Sequence, residues 1–286
     1  MLTALAPAKI NLILEVLGKR DDGYHEIRSL VQAINLCDVL SFEPDRQITL
    51  ECTEPSLQSS NNLATQAAAL LKEVSGCDKG VKIRLEKRIP WGVGLGGGSS
   101  DAAATLLTLN RLWELDLAAS HLVGLAARLG SDVPFFIHGG AALVEGRGEK
   151  VAPLLGSEPS WFVILSPSLP RMPHKTQRLY SRLHEQHFTD GESCAKAAKT
   201  WSRSGQVSRS LLFNVFDGIA FDAFPGLEEL WKAFEKAGAT DIHLAGSGPA
   251  LFAPVDSEAE AEELRGRLCQ QGLEAYSLSS VVPKVA

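Results

Sequence analysis

The N-terminal stretch has the two-residue hydrophobic period of a β-strand. Over residues 8–17, Lys9 and Asn11 fall on one face and apolar side chains fall on the other. Two polar side chains on one face of an apolar strand indicate either an edge strand with one solvated face or a ligand site. The pattern of this segment alone leaves both interpretations open.

The pattern also predicts the next elements of the chain. Strands are expected at residues 30–40, 47–52, 141–145 and 150–154, and helices at 62–74, 102–113 and 120–129. Asn61 or Asn62 can cap the first of these helices. Residues 131–134 predict another helix start, in which Asp132 caps and Pro134 lies in the first turn. On this pattern alone, capping explains Asp132 better than a catalytic role does.

The pattern breaks at residues 156–160, which predicts two domains, residues 1–157 and 158–286. Beyond the break, strands are expected at 161–166, 241–245, 250–255 and 274–282, and helices at 175–185, 194–203, 211–221, 227–237 and 257–271. This order indicates an α+β fold whose C-terminal domain is ferredoxin-like, with helices layered on an antiparallel sheet.

A glycine-rich stretch at residues 89–101 is the strongest local signal in the chain. Five of the seven residues from 92 to 98 are glycine, which allows positive φ angles and a close approach of backbone N–H groups to a ligand. Ser99 and Ser100 can cap a helix that begins near Asp101, and such a helix start favours an anion. A phosphate-binding loop and a purely structural turn explain this stretch about equally well.

The residues after the glycines show which types of phosphate-binding loop do not fit the sequence. A Walker A loop needs a Lys and then Ser or Thr after its second glycine, and Ser99, Ser100 and Asp101 come after Gly98 instead. A dinucleotide fingerprint fits the glycine spacing, but a second helical pattern lies at 120–129 where that fold needs a strand. Mononucleotide binding by a non-Walker loop is therefore favoured over NAD binding.

Composition and charge exclude several other classes of function. The 286 residues are 45% hydrophobic and 22% charged, as in an ordinary soluble globular protein. Residues 1–14 resemble neither a signal peptide nor a membrane span, so a cytoplasmic location without membrane attachment is expected. A net charge of -6 argues against nucleic-acid binding.

Cysteine and histidine spacings predict no metal held by protein side chains alone. The five cysteines include no C-x-x-C pair, which indicates reduced thiols and no structural zinc. His184 and His187 are three residues apart on a predicted helix and lack the i, i+4 spacing of a catalytic zinc helix. An exposed polar helix face explains them better.

Three stretches in this order and spacing resemble the GHMP kinases: residues 7–12 (Pro-Ala-Lys-Ile-Asn-Leu), residues 90–103, and residues 244–249 (Leu-Ala-Gly-Ser-Gly-Pro). The pair Tyr24-His25, the triple glycine at 96–98 and residues 129–136 are similar to one branch of that family. That branch phosphorylates 4-diphosphocytidyl-2-C-methylerythritol in the non-mevalonate isoprenoid pathway. The resemblance spans nearly the whole chain.

The resemblance implies a two-domain GHMP kinase fold, with a ribosomal S5 domain 2-like N-terminal domain, a ferredoxin-like C-terminal domain and the active site between them. It also implies transfer of the γ-phosphoryl group of ATP to a substrate hydroxyl. Lys9 and Asp132 would be the catalytic pair, which reverses the capping interpretation of Asp132. Asn11 would contact the polar part of the substrate. Tyr24 would stack on the cytosine and His25 would read its edge.

The same resemblance assigns the remaining ligand contacts. Asn62 and Lys87 match positions near the adenosine, and Thr176 and Tyr180 match positions near the substrate. The ATP loop would comprise Pro90, Trp91, Gly92, Val93, Gly94, Leu95, Gly96, Gly97, Gly98, Ser99 and Ser100. Because phosphoryl transfer depends on charge neutralisation, Mg²⁺ is expected with ATP.

The chain departs from the family pattern at three places. Ser131 stands before Asp132 where the family usually has Ala, His174-Lys175-Thr176 replaces the usual Ser-Thr or Pro-Thr, and Val215 stands where the family has Asp. The expected partner is a small molecule that carries a cytidine diphosphate, and the expected assembly is a monomer or weak homodimer. The alternatives are a non-catalytic GHMP-like sensor and a GHMP kinase for another small alcohol.

Overall fold

The computed structural model describes residues 1–156, 158–170, 172 and 175–281. The chain forms two compact units, and each is assembled from three separate segments. Unit 1 contains Met1–Ala8, Leu36–Trp91 and Gly96–His138, and unit 2 contains Lys9–Asn35, Gly92–Leu95 and Gly139–Ala286. The predicted domain boundary falls at Ser157, outside the described residues, and stays a prediction.

Two long strands, β1 (Leu2–Lys19) and β2 (His25–Asp45), contribute residues to both units. Unit 1 adds strands β3 (Ile48–Cys52) and β4 (Gly80–Glu86), and helices α1 (Leu63–Ser75), α2 (Gly97–Leu112), α3 (Ala119–Leu129) and α4 (Val133–His138). Here β4 pairs antiparallel with β2, from Val39 opposite Glu86 to Asp45 opposite Gly80, and parallel with β3.

Helix α2, predicted from the sequence at 102–113, buries the apolar side chains of one face. Ala102, Leu106, Leu109 and Trp113 are all buried, and Leu112 is half-buried. The helix packs against α1 and α4. Because this burial holds the helix, the residues at its N-terminus are carried on a rigid element.

Unit 2 contains two sheets. Its first sheet adds β5 (Ala141–Gly146), β6 (Lys150–Leu154) and β8 (Phe213–Asn214), with β5 antiparallel to β2 and β8 parallel to β1. Its second sheet comprises β7 (Trp161–Ser166), β9 (His243–Leu244), β10 (Leu251–Val255) and β11 (Glu274–Ser279), all antiparallel in the order β11-β7-β10-β9. Helix α9 (Glu258–Gln270) packs against this second sheet. The remaining helices are α5 (Lys175–Tyr180), α6 (Glu192–Ser204), α7 (Ala220–Ala223) and α8 (Leu227–Lys236).

Three expectations about these elements need correction. The predicted helix at 211–221 is wrong, because this stretch contains the end of a 3-10 turn, strand β8 and the start of α7. The predicted helix at 175–185 ends at Tyr180, so His184 lies just before a 3-10 turn and His187 lies in it. Strand β1 is not an edge strand, since β2 and β8 flank it. Among the described residues, no helix is both long and apolar enough to cross a membrane.

Candidate active site

The polar face of β1 forms a buried hydrogen-bond chain within unit 2. Lys9 Nζ donates to Asn11 Oδ1 at 2.7 Å, and Asn11 Nδ2 donates to Ser29 Oγ on β2 at 2.7 Å. Ser29 Oγ in turn donates to the carbonyl oxygen of Ile13 at 2.6 Å. Lys9 and Asn11 are 5% and 6% exposed, so the solvated-edge interpretation fails and a prepared ligand site is favoured.

The loop at residues 244–249 lies directly against this chain. A Cβ at Gly246 would be 2.8 Å from Asn11 Oδ1 and 3.0 Å from Lys9 Nζ, and its φ of +70° also requires glycine. The same loop interlocks with the glycine-rich loop, because a Cβ at Gly248 would be 2.0 Å from the Val93 carbonyl oxygen. Parts of all three stretches that carry the resemblance therefore meet in unit 2.

Two side chains, one at the end of β8 and one just after it, fix the position of the 244–249 loop. Asn214 Nδ2 donates to the carbonyl oxygens of Leu244 and Gly246, both at 2.9 Å. Asp217 Oδ1 accepts from the backbone N–H of Leu244 at 2.9 Å, and its Oδ2 lies 2.7 Å from His243 Nδ1. Together they hold both the N–H and the carbonyl of Leu244, so the backbone beside Lys9 is held from the C-terminal half of the chain.

The residues predicted to bind the cytosine lie near one another in unit 2. His25 and Tyr180 are in ring contact, with centroids 5.0 Å apart, and the guanidinium carbon of Arg147 lies 4.8 Å from the centroid of the Tyr24 ring. Tyr24 is 53% exposed. Burial, and to a lesser degree Lys19, lowers the pKa of His25, which favours a neutral imidazole at pH 7.

Thr176 links the predicted substrate contacts to the 244–249 loop. Its hydroxyl lies 3.1 Å from Ser247 Oγ, and α5 carries both Thr176 and Tyr180. The neighbouring residue His174, which departs from the family pattern, lies outside the described residues. One short helix therefore presents two of the predicted substrate residues together.

The start of α2 differs from the sequence-based expectation. The helix begins at Gly97, and the residue before it, Gly96, has a φ of +74° and provides no side-chain cap. Ser99 and Ser100 therefore lie inside the first turn, and the predicted serine cap is wrong. The hydroxyl of Ser100 is buried and has no hydrogen-bond partner among the residues that the structure describes. A buried unsatisfied hydroxyl at a helix start is a candidate ligand contact.

Lys87, predicted near the adenosine, is almost completely buried in unit 1. Its ammonium donates to Asp38 Oδ2 and, at 2.9 Å, to Asp101 Oδ2 in α2. Asn62 is likewise engaged within the protein, because its Oδ1 accepts from the N–H of Ala64 at 2.9 Å and so confirms the predicted cap of α1.

Asp132 lies in the short connection between α3 and α4. The chain leaves α3 at Leu129, Gly130 comes next, and α4 begins at Val133 as predicted. A residue in this place directly precedes the first turn of α4, whose backbone N–H groups have no partners within the helix. Among the described residues, no cluster of three or more His, Cys, Asp or Glu side chains could hold a metal ion.

Sequence reasoning missed Ser29 and Asp38, which orient the side chains of Asn11 and Lys87. One signal was available for each of them, since a polar residue interrupts an apolar strand pattern at both positions. Both side chains are completely buried on β2. Their partners lie 18 and 49 residues away in sequence, so no local pattern names them.

Comparisons with known proteins agree with these features. Residues 62–140 match the GHMP kinases N terminal domain, and residues 194–273 match the GHMP kinases C terminal domain. The 4-diphosphocytidyl-2-C-methyl-D-erythritol kinase of Dehalococcoides mccartyi is 46% identical over 283 residues, which cover 99% of each chain. The enzyme of the same name from Symbiobacterium thermophilum is 40% identical over 277 residues, covering 96% of this chain and 98% of the relative.

Solved structures resemble the fold over its full length. A crystal structure of 4-(cytidine 5'-diphospho)-2C-methyl-D-erythritol kinase matches with a TM-score of 0.81 at 35% identity, covering 99% of this chain and 100% of that one. The mevalonate kinase of Methanococcus jannaschii matches with a TM-score of 0.68 at 13% identity, covering 98% of both chains. The second likeness concerns the fold alone.

Proposed function

This chain belongs to the 4-diphosphocytidyl-2-C-methyl-D-erythritol kinases within the GHMP kinase family, and from that premise we propose its reaction and the roles of its residues. The enzyme transfers the γ-phosphoryl group of ATP to the 2-hydroxyl of 4-diphosphocytidyl-2-C-methyl-D-erythritol. The products are the 2-phosphate and ADP. The reaction is a step of non-mevalonate isoprenoid precursor biosynthesis.

The observation that carries this proposal is the buried polar chain on β1. The Lys9 ammonium is oriented by Asn11, which is itself held by Ser29. Orienting a buried ammonium in this way costs desolvation free energy that a purely structural strand would avoid. A cation placed in advance can stabilise charge that develops during phosphoryl transfer without reorganising when the reaction occurs.

We assign the chemical roles to Lys9 and Asp132. Asp132 accepts the proton of the 2-hydroxyl as that oxygen forms its bond to the γ-phosphorus and the bond from phosphorus to the β,γ-bridging oxygen breaks. The electron pair of the breaking bond leaves with ADP. Lys9 offsets the negative charge on the attacking oxygen and the transferred group.

ATP binds, in this proposal, at the glycine-rich loop and the first turn of α2. The helix start carries no side-chain cap, so its N–H groups can meet phosphate oxygens. Mg²⁺ also fits this site, because phosphate oxygens and water molecules supply most of its ligands. The buried Ser100 hydroxyl is the protein oxygen that we assign to the Mg²⁺-ATP complex. When bound, the ion neutralises phosphate charge during transfer.

The cytidine end of the substrate is assigned to the aromatic residues of unit 2. Arg147 covers one face of the Tyr24 ring, and the ring is half-exposed, so a base can stack on it. A neutral His25 can both donate and accept a hydrogen bond at the cytosine edge. Tyr180, which contacts His25, completes this assignment.

A coupled ADP-release assay tests the proposed reaction. The purified protein is compared on the diphosphocytidyl substrate, mevalonate, phosphomevalonate and homoserine. We expect turnover with the diphosphocytidyl substrate and at most traces with the others. Turnover only with one of the other alcohols would refute the substrate assignment, and ligand binding without ADP release would favour a non-catalytic sensor.

An Asp132→Asn variant tests the proposed base. The change keeps the shape of the side chain and removes the proton acceptor, so kcat should fall about 10²- to 10⁴-fold. Binding of a non-hydrolysable ATP analogue should be retained. Asp78→Asn, at an exposed position of unit 1, is the matched control. Near-normal turnover in Asp132→Asn would remove this residue from the base role.

Other expectations from the sequence stay predictions. These are the cytoplasmic location, the monomeric or weakly dimeric assembly and the absence of nucleic-acid and membrane partners. Size-exclusion chromatography with light scattering on the purified protein measures the assembly directly.

A further inference from the structure

The carboxylate of Asp38 is fully buried and accepts hydrogen bonds from three donors on residues 87–89, where β4 leads into the glycine-rich stretch. Its Oδ1 accepts from the backbone N–H groups of Arg88, at 2.6 Å, and Ile89, at 2.9 Å. Its Oδ2 accepts from the Lys87 ammonium. The carboxylate therefore fixes the backbone at the point where β4 passes into the loop.

The Lys87 ammonium extends this connection to the other end of the loop. It donates to Asp101 Oδ2 at 2.9 Å, and Asp101 lies in the first turns of α2. The Lys87 and Asp101 side chains are 5% and 2% exposed. One chain of charged contacts thus joins the residues before the glycines to the helix after them, entirely within unit 1.

Gly97 lies directly against the charged groups of Lys87 and Asp38. A Cβ at this position would be 3.2 Å from Lys87 Nζ and 3.3 Å from Asp38 Oδ2, which is closer than most side-chain contacts allow. The φ of Gly97 is not in the left-handed region, so the close approach and not backbone strain accounts for glycine here. Gly97, the first residue of α2, therefore packs against the buried Lys87 side chain.

We infer that Asp38, Lys87 and Asp101 are positioning residues, which hold the nucleotide loop and the start of α2 in the geometry that binds ATP. This inference rests on the proposed function and changes the role of Lys87. Its ammonium is directed at two carboxylates of the protein and acts on the nucleotide only through the loop.

Charge balance explains why the lysine is needed there. Above the pKa of Asp101, which burial raises to about 7, two carboxylates and one ammonium carry a net charge of about -1, and removing the ammonium would leave two buried carboxylates side by side. Burial alone would lower the pKa of Lys87, but Asp101 and Asp38 together raise it. The ammonium therefore stays charged at neutral pH and holds the two carboxylates together.

The test separates a positioning lysine from one that contacts ATP. Binding of a non-hydrolysable ATP analogue is measured by calorimetry at about pH 8, where Asp101 is mostly ionised, for the wild type, Lys87→Met and the double variant Lys87→Met/Asp101→Asn. The double variant lacks the ammonium but restores the net charge of the wild-type cluster. Arg84→Met, which breaks exposed ion pairs on the same strand β4, is the control.

We expect Lys87→Met to weaken analogue binding at least about tenfold, which is 1.4 kcal/mol. The double variant should recover to within about threefold of the wild type, and Arg84→Met should bind like the wild type. If the double variant binds as poorly as Lys87→Met, the ammonium contacts the nucleotide and the inference is wrong. If Lys87→Met does not fold, the double variant is compared with the wild type alone. Analogue binding within about threefold of the wild type supports the inference, and weaker binding contradicts it.

The outcome is independent of the acceptor. Analogue binding by the wild type without turnover of the diphosphocytidyl substrate would refute the proposed function and still leave the three variants informative. Steady-state kinetics add a second measurement, because disturbing the nucleotide loop should raise the KM for ATP more than the KM for the acceptor. An equal rise in both values would indicate general loosening of the fold and would contradict a positioning role.

Discussion

The interlocking of the two glycine loops in unit 2 predicts a graded response to three alanine substitutions. A Cβ at Gly248 would lie 2.0 Å from the Val93 carbonyl oxygen, although real Cβ contacts stay beyond 3.0 Å. The loops must therefore separate by about 1 Å, or the backbone must deform by a similar amount. The φ of Gly248 is outside the left-handed region, so Gly248→Ala tests the clash without backbone strain.

The expected cost is set by the contacts that would be lost. Overpacking of a filled position costs about 1 to 3 kcal/mol. Separation also weakens the hydrogen bond from the Ala250 N–H to the Val93 carbonyl oxygen, which is 3.0 Å long and is worth about 1 kcal/mol. Gly248→Ala should therefore lower the free energy of unfolding by about 2 to 4 kcal/mol. A loop displacement near 1 Å should also reduce kcat/KM for ATP up to about 100-fold.

Two further glycines complete the series, one with backbone strain alone and one with strain and a clash together. Gly92 has a φ of +81° with no atom within 4 Å of its Cβ position, so Gly92→Ala tests strain alone and should cost about 1 to 2 kcal/mol. Gly94 combines a φ of +107° with a Cβ position 2.3 Å from the Ala245 carbonyl oxygen, so Gly94→Ala should be the most damaging. Urea unfolding and ATP-dependent kinetics measure the series. The reasoning is refuted if Gly248→Ala is no worse than Gly92→Ala in both measurements.

Three other predictions concern buried groups. Asn214→Asp replaces two N–H donors with an oxygen that faces two carbonyl oxygens, so kcat should fall at least about tenfold at temperatures where the variant is folded; unchanged kcat would contradict a role in fixing the backbone beside Lys9. Burial raises the pKa of the Asp101 carboxyl from 3.8 to about 7 in the folded protein. As the pH rises between these two values, the unfolded chain loses this proton while the folded protein keeps it, so the free energy of unfolding falls. Asp101→Asn should therefore gain free energy of unfolding relative to the wild type between about pH 4 and pH 7, by at most about 4 kcal/mol in chemical denaturation, and a flat difference would refute the assignment. Burial and the nearby Glu15 raise the pKa of the Cys194 thiol, so mass-spectrometric mapping with a thiol reagent should find exposed Cys269 modified first and Cys194 modified only on unfolding; equal rates would be inconsistent with this burial.

The sequence predicted best the features that local periodicity controls. The helix predicted at 102–113 and the Asn62 cap depend on residues close together in the chain, and the structure confirms both. The glycine loop and the first strand were recognised as site candidates for the same reason. Lys9 and Asn11 are polar residues on an otherwise apolar strand, and five glycines stand together just before a helix.

Features that depend on distant partners were mispredicted or missed. Residues 211–221 have a helical pattern, but β8 pairs with β1 there, because its hydrogen bonds are supplied by a strand about 200 positions away. The serine cap failed because Gly96 adopts a left-handed conformation that starts the helix two residues earlier than Ser99. The contact between Asp38 and Lys87 was missed because the two residues lie on different strands, 49 positions apart in the sequence.

The way each unit is assembled from separate segments has a consequence for synthesis. Residues of unit 1 are complete once His138 has left the ribosome, whereas Lys9–Asn35 of unit 2 are made early and need partners made much later. Asn214, which pairs with Leu14, and Gly246, which lies against Lys9 and Asn11, are among these late partners. The nascent strand that carries Lys9 must therefore wait for more than two hundred further residues. The polar chain at Lys9 therefore lacks its neighbouring loop until residues 244–249 have been made.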